Sequence, residues 1–388
     1  MSRTGSWLAP FALFWRAFGQ IVIVSFVPLQ LVSTGDHHYL ALGFIYGLPF
    51  FMQLLFAPLW GRLLDRMRRP GVLAAIGFVG YAAMEAGTAV SGSQSGIFLS
   101  LALGGVLGAA LSPAAKWQAL RARDGHRTLA LALRAEAAGW LAGALLPAVF
   151  SAMGRDVFQL LGVTAVCTVL SAPIFWPVAD TAPAEPELPP GDAAARRLPL
   201  GFWLFFLGAF LQFLIGETFY AFYGVYLTRY LGGPLWLYSG SIAVTTVLGL
   251  LLYGFAARTT HRVGAGPVLI ATSLVYLVSY GLLALFPSVP MAAITFSIPA
   301  FSFFRTAATI GIAHAAPNRS GSAMGMLDAA EGLASSIGGP VSGFFVATSS
   351  LGVLPLLPLM LSAVASVPLL LARRARAALP SAGVGEPL

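Results

Sequence analysis

Twelve stretches of this chain are each apolar over about 20 residues or more, the length a helix needs to cross the roughly 30 Å hydrocarbon layer of a bilayer. They fall at about 9–33, 40–61, 71–91, 96–118, 128–152, 157–178, 200–228, 236–257, 267–287, 290–314, 322–346 and 351–372. Backbone placed in hydrocarbon must satisfy its own hydrogen bonds, so such runs become helices. The expected fold is therefore an all-α polytopic membrane protein with twelve transmembrane helices. The first run is too long for a signal peptide, holds Arg16, and precedes no small-residue cleavage site. Composition closes the soluble alternatives: 9% of the 388 residues are charged, against about 25% in an ordinary soluble domain. That excludes a soluble enzyme, a disordered chain and the usual kind of nucleic-acid binder. The lone cysteine, Cys167, excludes a disulfide framework and a cysteine-ligated cluster.

A net charge of +8 reads as a call for an acidic partner until the basic residues are placed. With the N-terminus inside, sixteen of the 22 lie at cytoplasmic ends: Arg3, Arg62, Arg66, Arg68, Arg69, Arg121, Arg123, Arg127, Arg196, Arg197, Arg258, Arg262, Arg319, Arg373, Arg374 and Arg376. Only Arg155 and Arg229 fall in outside loops, and Arg16, Lys116, Arg134 and Arg305 lie within spans. This bias predicts both termini in the cytoplasm and an even number of spans; the expected location is the cytoplasmic (inner) membrane. The charge reports topology, not nucleic acid.

The segment Thr181 to Pro199 is rich in Pro, Ala and acidic residues and reads as a cytoplasmic linker. It separates a six-helix bundle over 1–180 from a second over 200–388. The halves echo one another. Gly61-Arg62-Leu63-Leu64-Asp65-Arg66-Met67-Arg68-Arg69 after span two is answered, at an offset of 193, by Gly254 to Arg262 after span eight. Arg127 leading to Glu136, Gly139, Gly143 and Pro147 is answered by Arg319 leading to Asp328, Gly338, Gly339 and Pro340. Two loop-plus-helix units at an offset of 192 or 193 indicate duplication, an architecture that places a site between the halves.

The run Gly61 to Arg66, with basic residues after it, resembles the loop signature of the major facilitator superfamily, and Gly254 to Arg262 resembles its degenerate second copy. The likeness covers essentially the whole chain. It implies a major facilitator fold and a monomeric transporter of a small molecule. It also implies that Gly61, Asp65, Arg66 and Arg69 form a gating loop that locks the inner side. Arg68 stands where a glycine is usual, so the turn is expected to differ. The other reading of this cluster is a topogenic one alone.

Charges inside a bilayer are costly and ask for a reason. Glu85 lies roughly fourteen residues into span three and Glu217 about seventeen into span seven; Arg305 is about fifteen into span ten. Arg16, Glu136 and Glu331 are about eight or nine residues in, and Arg134 and Asp328 about six, within snorkelling reach. Glu217, Glu85, Glu136 and Glu331 are the candidate proton carriers. Glu217 leads because Phe213, Phe219, Tyr220, Phe222 and Tyr223 surround it in sequence with no base nearby, a setting suited to reversible protonation. The alternative is a structural carboxylate bonded to a neighbouring helix. Arg16 and Arg305 keep their charge and are candidates for pairing or substrate binding, with Gln20, Gln212, Tyr220 and Asp328 beside them. Glu136 is the expected partner of Arg16, and Glu331 of Arg305. The Glu136–Gly139–Gly143 stripe is expected to pack spans five and eleven where the halves meet.

His37 and His38 with Asp36 could bind a metal, although a solvated loop explains them as well, and His314 sits at a helix end. No ligand set for a cofactor stands out, and no phosphate-binding loop appears, so ATP is not the direct driver. The stretch Phe202 to Tyr226 and the span one–two region are similar to the branch with lactose, phenylpropionate and nucleoside permeases, which implies proton-coupled uptake of a small organic solute by alternating access. Efflux of amphipathic compounds is the rival. Exporters of the family often carry a Gly-Pro pair in span five, and Gly139, Gly143 and Pro147 do not form one. A lipid-active polytopic enzyme or a non-transporting sensor on the same fold are rivals of another class. An enzyme would gather its polar residues at one interface, whereas here they are dispersed.

Overall fold

The computed structural model describes residues 8–33, 35, 38–67, 69–120, 125–175, 200–315 and 320–377. The linker at 181–199 and residues Asp36, His37, Arg68 and Arg319 lie outside them. In chain order the helices are α1 (Leu8–Ile21), α2 (Val27–Ser33), α3 (Tyr39–Met67), α4 (Pro70–Val90), α5 (Gln94–Gly108), α6 (Leu111–Leu120), α7 (Gly125–Ala152) and α8 (Val157–Phe175). They continue with α9 (Leu200–Val225), α10 (Leu235–Val263), α11 (Ala265–Leu285), α12 (Val289–Ser297), α13 (Ala300–Ala315), α14 (Ser320–Thr348) and α15 (Leu356–Ala377). Among the described residues there is no strand.

Among the described residues, eleven segments are long and apolar enough to cross a membrane. They match eleven of the expected runs. The exception is the run at 322–346: α14 is 29 residues long, but glycine, serine, Asp328 and Glu331 hold it below the hydropathy of the others. It packs along α3 and α9 and needs less apolar surface of its own. The exterior of the other helices is apolar, with Leu99, Leu103, Leu170, Leu251 and Leu285 all exposed. This is the reverse of a soluble protein and suits a lipid surround.

Two of the expected spans are not single helices. The fourth breaks at Ala109-Ala110 into α5 and α6, and the tenth at Ile298-Pro299 into α12 and α13. Proline lacks the donor a helix needs, which explains the second break. Gly104, Gly105 and Gly108 loosen the first. Both segments also start alike: the Ser93 side chain accepts from Gly96 N (3.2 Å), and that of Ser288 from Met291 N (3.4 Å). The first and seventh spans each carry a π-helical turn, at Val22–Phe26 and Tyr226–Tyr230. Such turns widen a helix locally and free a carbonyl for another partner. Ser25 O takes the Tyr238 hydroxyl at 3.5 Å.

Helix α3 runs to Met67 and α10 to Val263, so Gly61, Arg62, Asp65 and Arg66, and Gly254 to Arg262, are helical and not loop. The connection from α10 to α11 is one residue, Gly264, at φ +93°, a conformation glycine adopts without strain. Arg66, Arg69, Arg258 and Arg262 are exposed and mark one end of the molecule, the basic end.

Helix α1 packs on α7, α4 on α5 and α8, α9 on α15, and α11 on α13 and α15. The stripe on α7 does not meet α14: a Cβ on Gly139 would strike Phe14 O of α1, and one on Gly143 would strike Ile21 and Phe18. The expected meeting of spans five and eleven is thus replaced by two others, α7 against α10 and α3 against α14. The reason is residue size. Glycines on α3 and α14 let their backbones touch, and a Cβ on Gly43, Gly47, Gly339 or Gly343 would collide with the opposing chain.

Candidate functional site

These contacts close the molecule at the end away from the arginines. Tyr39, Gly43 and Gly47 of α3 lie on Gly343, Gly339 and Ser336 of α14. The Ser25 hydroxyl donates to Tyr220 at 3.0 Å, and the Phe26 and Tyr238 rings meet edge to face at 5.2 Å. Tyr223 and Phe296 stack at 4.0 Å, and Tyr220 joins them at 5.6 Å from Phe296. Aromatic faces with their hydroxyls satisfied make a dry floor.

Glu217 sits on the basic-end side of that floor. Its carboxylate accepts from the Tyr46 hydroxyl of α3 on one oxygen and from Ser335 of α14 on the other, the latter at 2.9 Å. Gly338 leaves the room: a Cβ there would lie 2.7 Å from that of Glu217. One carboxylate therefore joins α3, α9 and α14. Tyr46 is buried between Phe50 (5.6 Å) and Tyr220 (6.1 Å), which fixes the hydroxyl.

Two ion pairs lie nearer the basic end. Arg16 of α1 pairs with Glu136 of α7, bonds Gln20 at 3.0 Å and reaches Gln53 at 3.5 Å. Gln53 passes the network on to the Tyr81 hydroxyl at 2.7 Å. Arg305 of α13 pairs with Glu331 of α14 at 3.0 Å, with its guanidinium 5.6 Å from the Phe301 ring centroid. The first pair is sequestered and the second is not: the Arg16 side chain is 10% exposed and that of Arg305 43%. Asp328, also exposed, lies one turn before Glu331 on α14 and adds negative charge on that side. The polar interior is thus an inner carboxylate on an aromatic floor, with one accessible charge pair, Arg305–Glu331, and one sequestered pair, Arg16–Glu136, nearer the basic end.

Three expected site residues stand elsewhere. Gln212 donates to Leu269 O (2.5 Å) and Ser273 (2.7 Å) and accepts from Thr272 (2.9 Å), so it ties α9 to α11 and has no atom left for a ligand. Gln20 is buried as a support of Arg16. Glu85 is fully buried on α4, away from Glu217. Of the proposed gating residues, Gly61 and Arg66 are on the last turns of α3 and Arg69 is the non-helical residue just before α4; the Asp65 side chain lies outside the described residues. Among the described residues no group of three His, Cys, Asp or Glu is placed to hold a metal, and the His314 side chain lies outside them. Tyr46, Gln53, Tyr81 and Ser335 were not foreseen. Gln53 could have been, as the lone amide deep in the second apolar run.

The fold is similar to that of a bacterial homologue of the human lysosomal transporter Spinster, in its inward-facing, occupied form. The TM-score is 0.77 at 15% identity, covering 95% of this chain and 96% of that one. The nucleoside transporter NupG gives a TM-score of 0.75 at 14% identity, covering 95% and 98%. No curated protein matches the sequence. The sequence pattern of the Major Facilitator Superfamily matches residues 11–304. With an apolar exterior, a polar interior and that match over most of its length, the chain is an integral membrane protein and belongs to the Major Facilitator Superfamily of transporters.

Proposed function

We propose that this chain is a secondary transporter that takes up a small organic solute together with protons, by alternating access across the cytoplasmic membrane. Two six-helix halves, with α14 as the twelfth crossing, would rock about the polar interior. The matched breaks, serine caps and π-turns in spans one and seven and in four and ten support a duplicated architecture. In this state the far end is sealed and Arg305, Glu331 and Asp328 are accessible, a state open toward the basic end, which the arginine bias assigns to the cytoplasm. The monomer is the working unit.

The observation that carries the coupling is Glu217 accepting from Tyr46 across the α3–α9 contact. An ionised carboxylate accepts on both oxygens, whereas a protonated one must donate from one of them. Taking up a proton therefore disturbs the bond to Tyr46 or to Ser335, and with it a contact that helps seal the far end. Aromatic rings at Tyr220, Phe296 and Phe50 suit a planar solute whose polar groups reach the charged mouth. The absent Gly-Pro pair in α7 favours uptake over efflux.

The test is proton flux in proteoliposomes with an interior pH dye, screening nucleosides, sugars, aromatic acids and cationic drugs, for the wild type beside Glu217→Gln. Solute-dependent proton movement that the variant loses supports the reading. Movement that the variant keeps moves the carrier to Glu136 or Glu331. A solute that leaves as protons enter reverses the direction to efflux.

A further inference from the structure

Helices α1, α4 and α8 enclose four side-chain oxygens with nothing to bind. They are both carboxylate oxygens of Glu85 and the hydroxyls of Thr88 and Thr168, none with a hydrogen-bond partner among the described residues. All three side chains are sealed off, at 0%, 0% and 1% exposure. Glu85 and Thr88 are three residues apart on α4, on one face. From α8, Thr168 faces Glu85 without meeting hydrogen-bond geometry. From α1, Gly19 contributes only a gap: a Cβ there would run into the Glu85 carboxylate. Tyr81, one turn earlier on α4, is committed to Gln53. The charge on Arg16 is taken by Glu136.

The threonines are as informative as the acid. Other buried and half-buried threonines give their hydroxyl to a carbonyl, one turn back for Thr260 (Ala256), Thr246 (Ile242) and Thr228 (Gly224) and on another helix for Thr245 (Phe296) and Thr295 (Ser279). Thr88 and Thr168 do not, so their oxygens are kept for something else. A cluster of buried polar atoms left unpaired is rare and implies an occupant. An ionised carboxylate in an apolar interior also needs a countercharge. Hard oxygen donors with a single negative charge suit a hard monovalent cation, because a divalent one would leave an uncompensated buried charge. A proton on Glu85 would cancel its charge; an ion held by Glu85, Thr88 and Thr168 would also engage the two hydroxyl oxygens.

We propose that Glu85, Thr88 and Thr168 form an enclosed sodium site among α1, α4 and α8, separate from Glu217. It adds a second ion to the proton-coupled reading and does not depend on it.

The test is thermal unfolding of the purified full-length protein in detergent, in sodium chloride against choline chloride at equal ionic strength, with binding of radiolabelled sodium in parallel. Sodium raises the wild-type melting temperature by roughly 2–4 °C at saturation. Glu85→Gln removes the rise and the bound label, Thr168→Val weakens both, and Glu217→Gln keeps both. If Glu85→Gln does not fold, the Thr88→Val/Thr168→Val double variant carries the test by losing the sodium response while folded. The proposal is overturned if the wild type melts alike in both salts, if Glu85→Gln responds as the wild type does, or if melting follows pH and ignores sodium.

Discussion

A hydroxyl that donates to a carboxylate across two helices is a small lever on a large motion. Tyr46→Phe removes only that donor, so the fold should stand while the link between Glu217 and α3 is lost. A hydrogen bond to a charged group contributes about 1.5–3 kcal/mol, so solute-driven proton uptake should fall about 10- to 100-fold. An unchanged rate in the proteoliposome assay would detach Tyr46 from coupling. The ion pairs differ by burial. Arg16→Ala leaves Glu136 uncompensated in a sequestered place and should cost about 3–5 kcal/mol of stability. Arg305→Ala should cost about 1 kcal/mol or less, because water screens that pair. Melting temperatures of the two variants check the order, and Glu136→Gln added to Arg16→Ala should restore part of the loss. Both pairings could be named from span order and depth. Gln212 was misread, although five residues on a helix turn it about 140° away from Glu217, which its bonds to α11 reflect. Tyr46 and Ser335 were hidden for another reason: which spans face one another is a property of packing, and no local pattern records it.

At the scale of helices, the seal between α3 and α14 is made of backbone. Gly43→Val should push the two apart and shift the protein away from the state sealed at the far end. In a background where Cys167 is replaced by serine, a cysteine at Ser25 should then react faster with an impermeant maleimide added from that side. Equal labelling with and without Gly43→Val would show that the seal lies elsewhere. Helix existence and length were readable from the apolar runs almost throughout. The break at Pro299 was not read, because proline alone does not declare one: Pro49, Pro147, Pro173, Pro340 and Pro368 lie inside continuous helices. That at Ala109 was not either, since glycine is common in any membrane helix and only the fold shows where it yields. The glycine stripe on α7 was seen but assigned to the wrong neighbour. Small residues say that something comes close; they do not say what.

For the whole molecule, alternating access demands that the far end open. Cysteines introduced by Ser25→Cys and Tyr238→Cys, joined by a short cleavable thiol cross-linker, should stop transport, and cleavage should restore it. Transport that survives the cross-link would rule out rocking at this end. The arginine pattern sets the expected alternation of helix directions, and the exposed arginines at the ends of α3 and α10 are the residues it rests on. The order in which the helices gather could not be read, because it depends on residues hundreds of positions apart. Helix α14 shows what that costs the chain during synthesis. Among the described residues it is the one long helix too poor in apolar side chains to qualify as a span by itself, and Gly338, Gly339 and Gly343 lie tight against α9 and α3. It gains little from lipid and much from those two neighbours. Its insertion should therefore wait at the translocon until α3, made far earlier, is in place to receive it, so that the second part of the chain is assembled on the first.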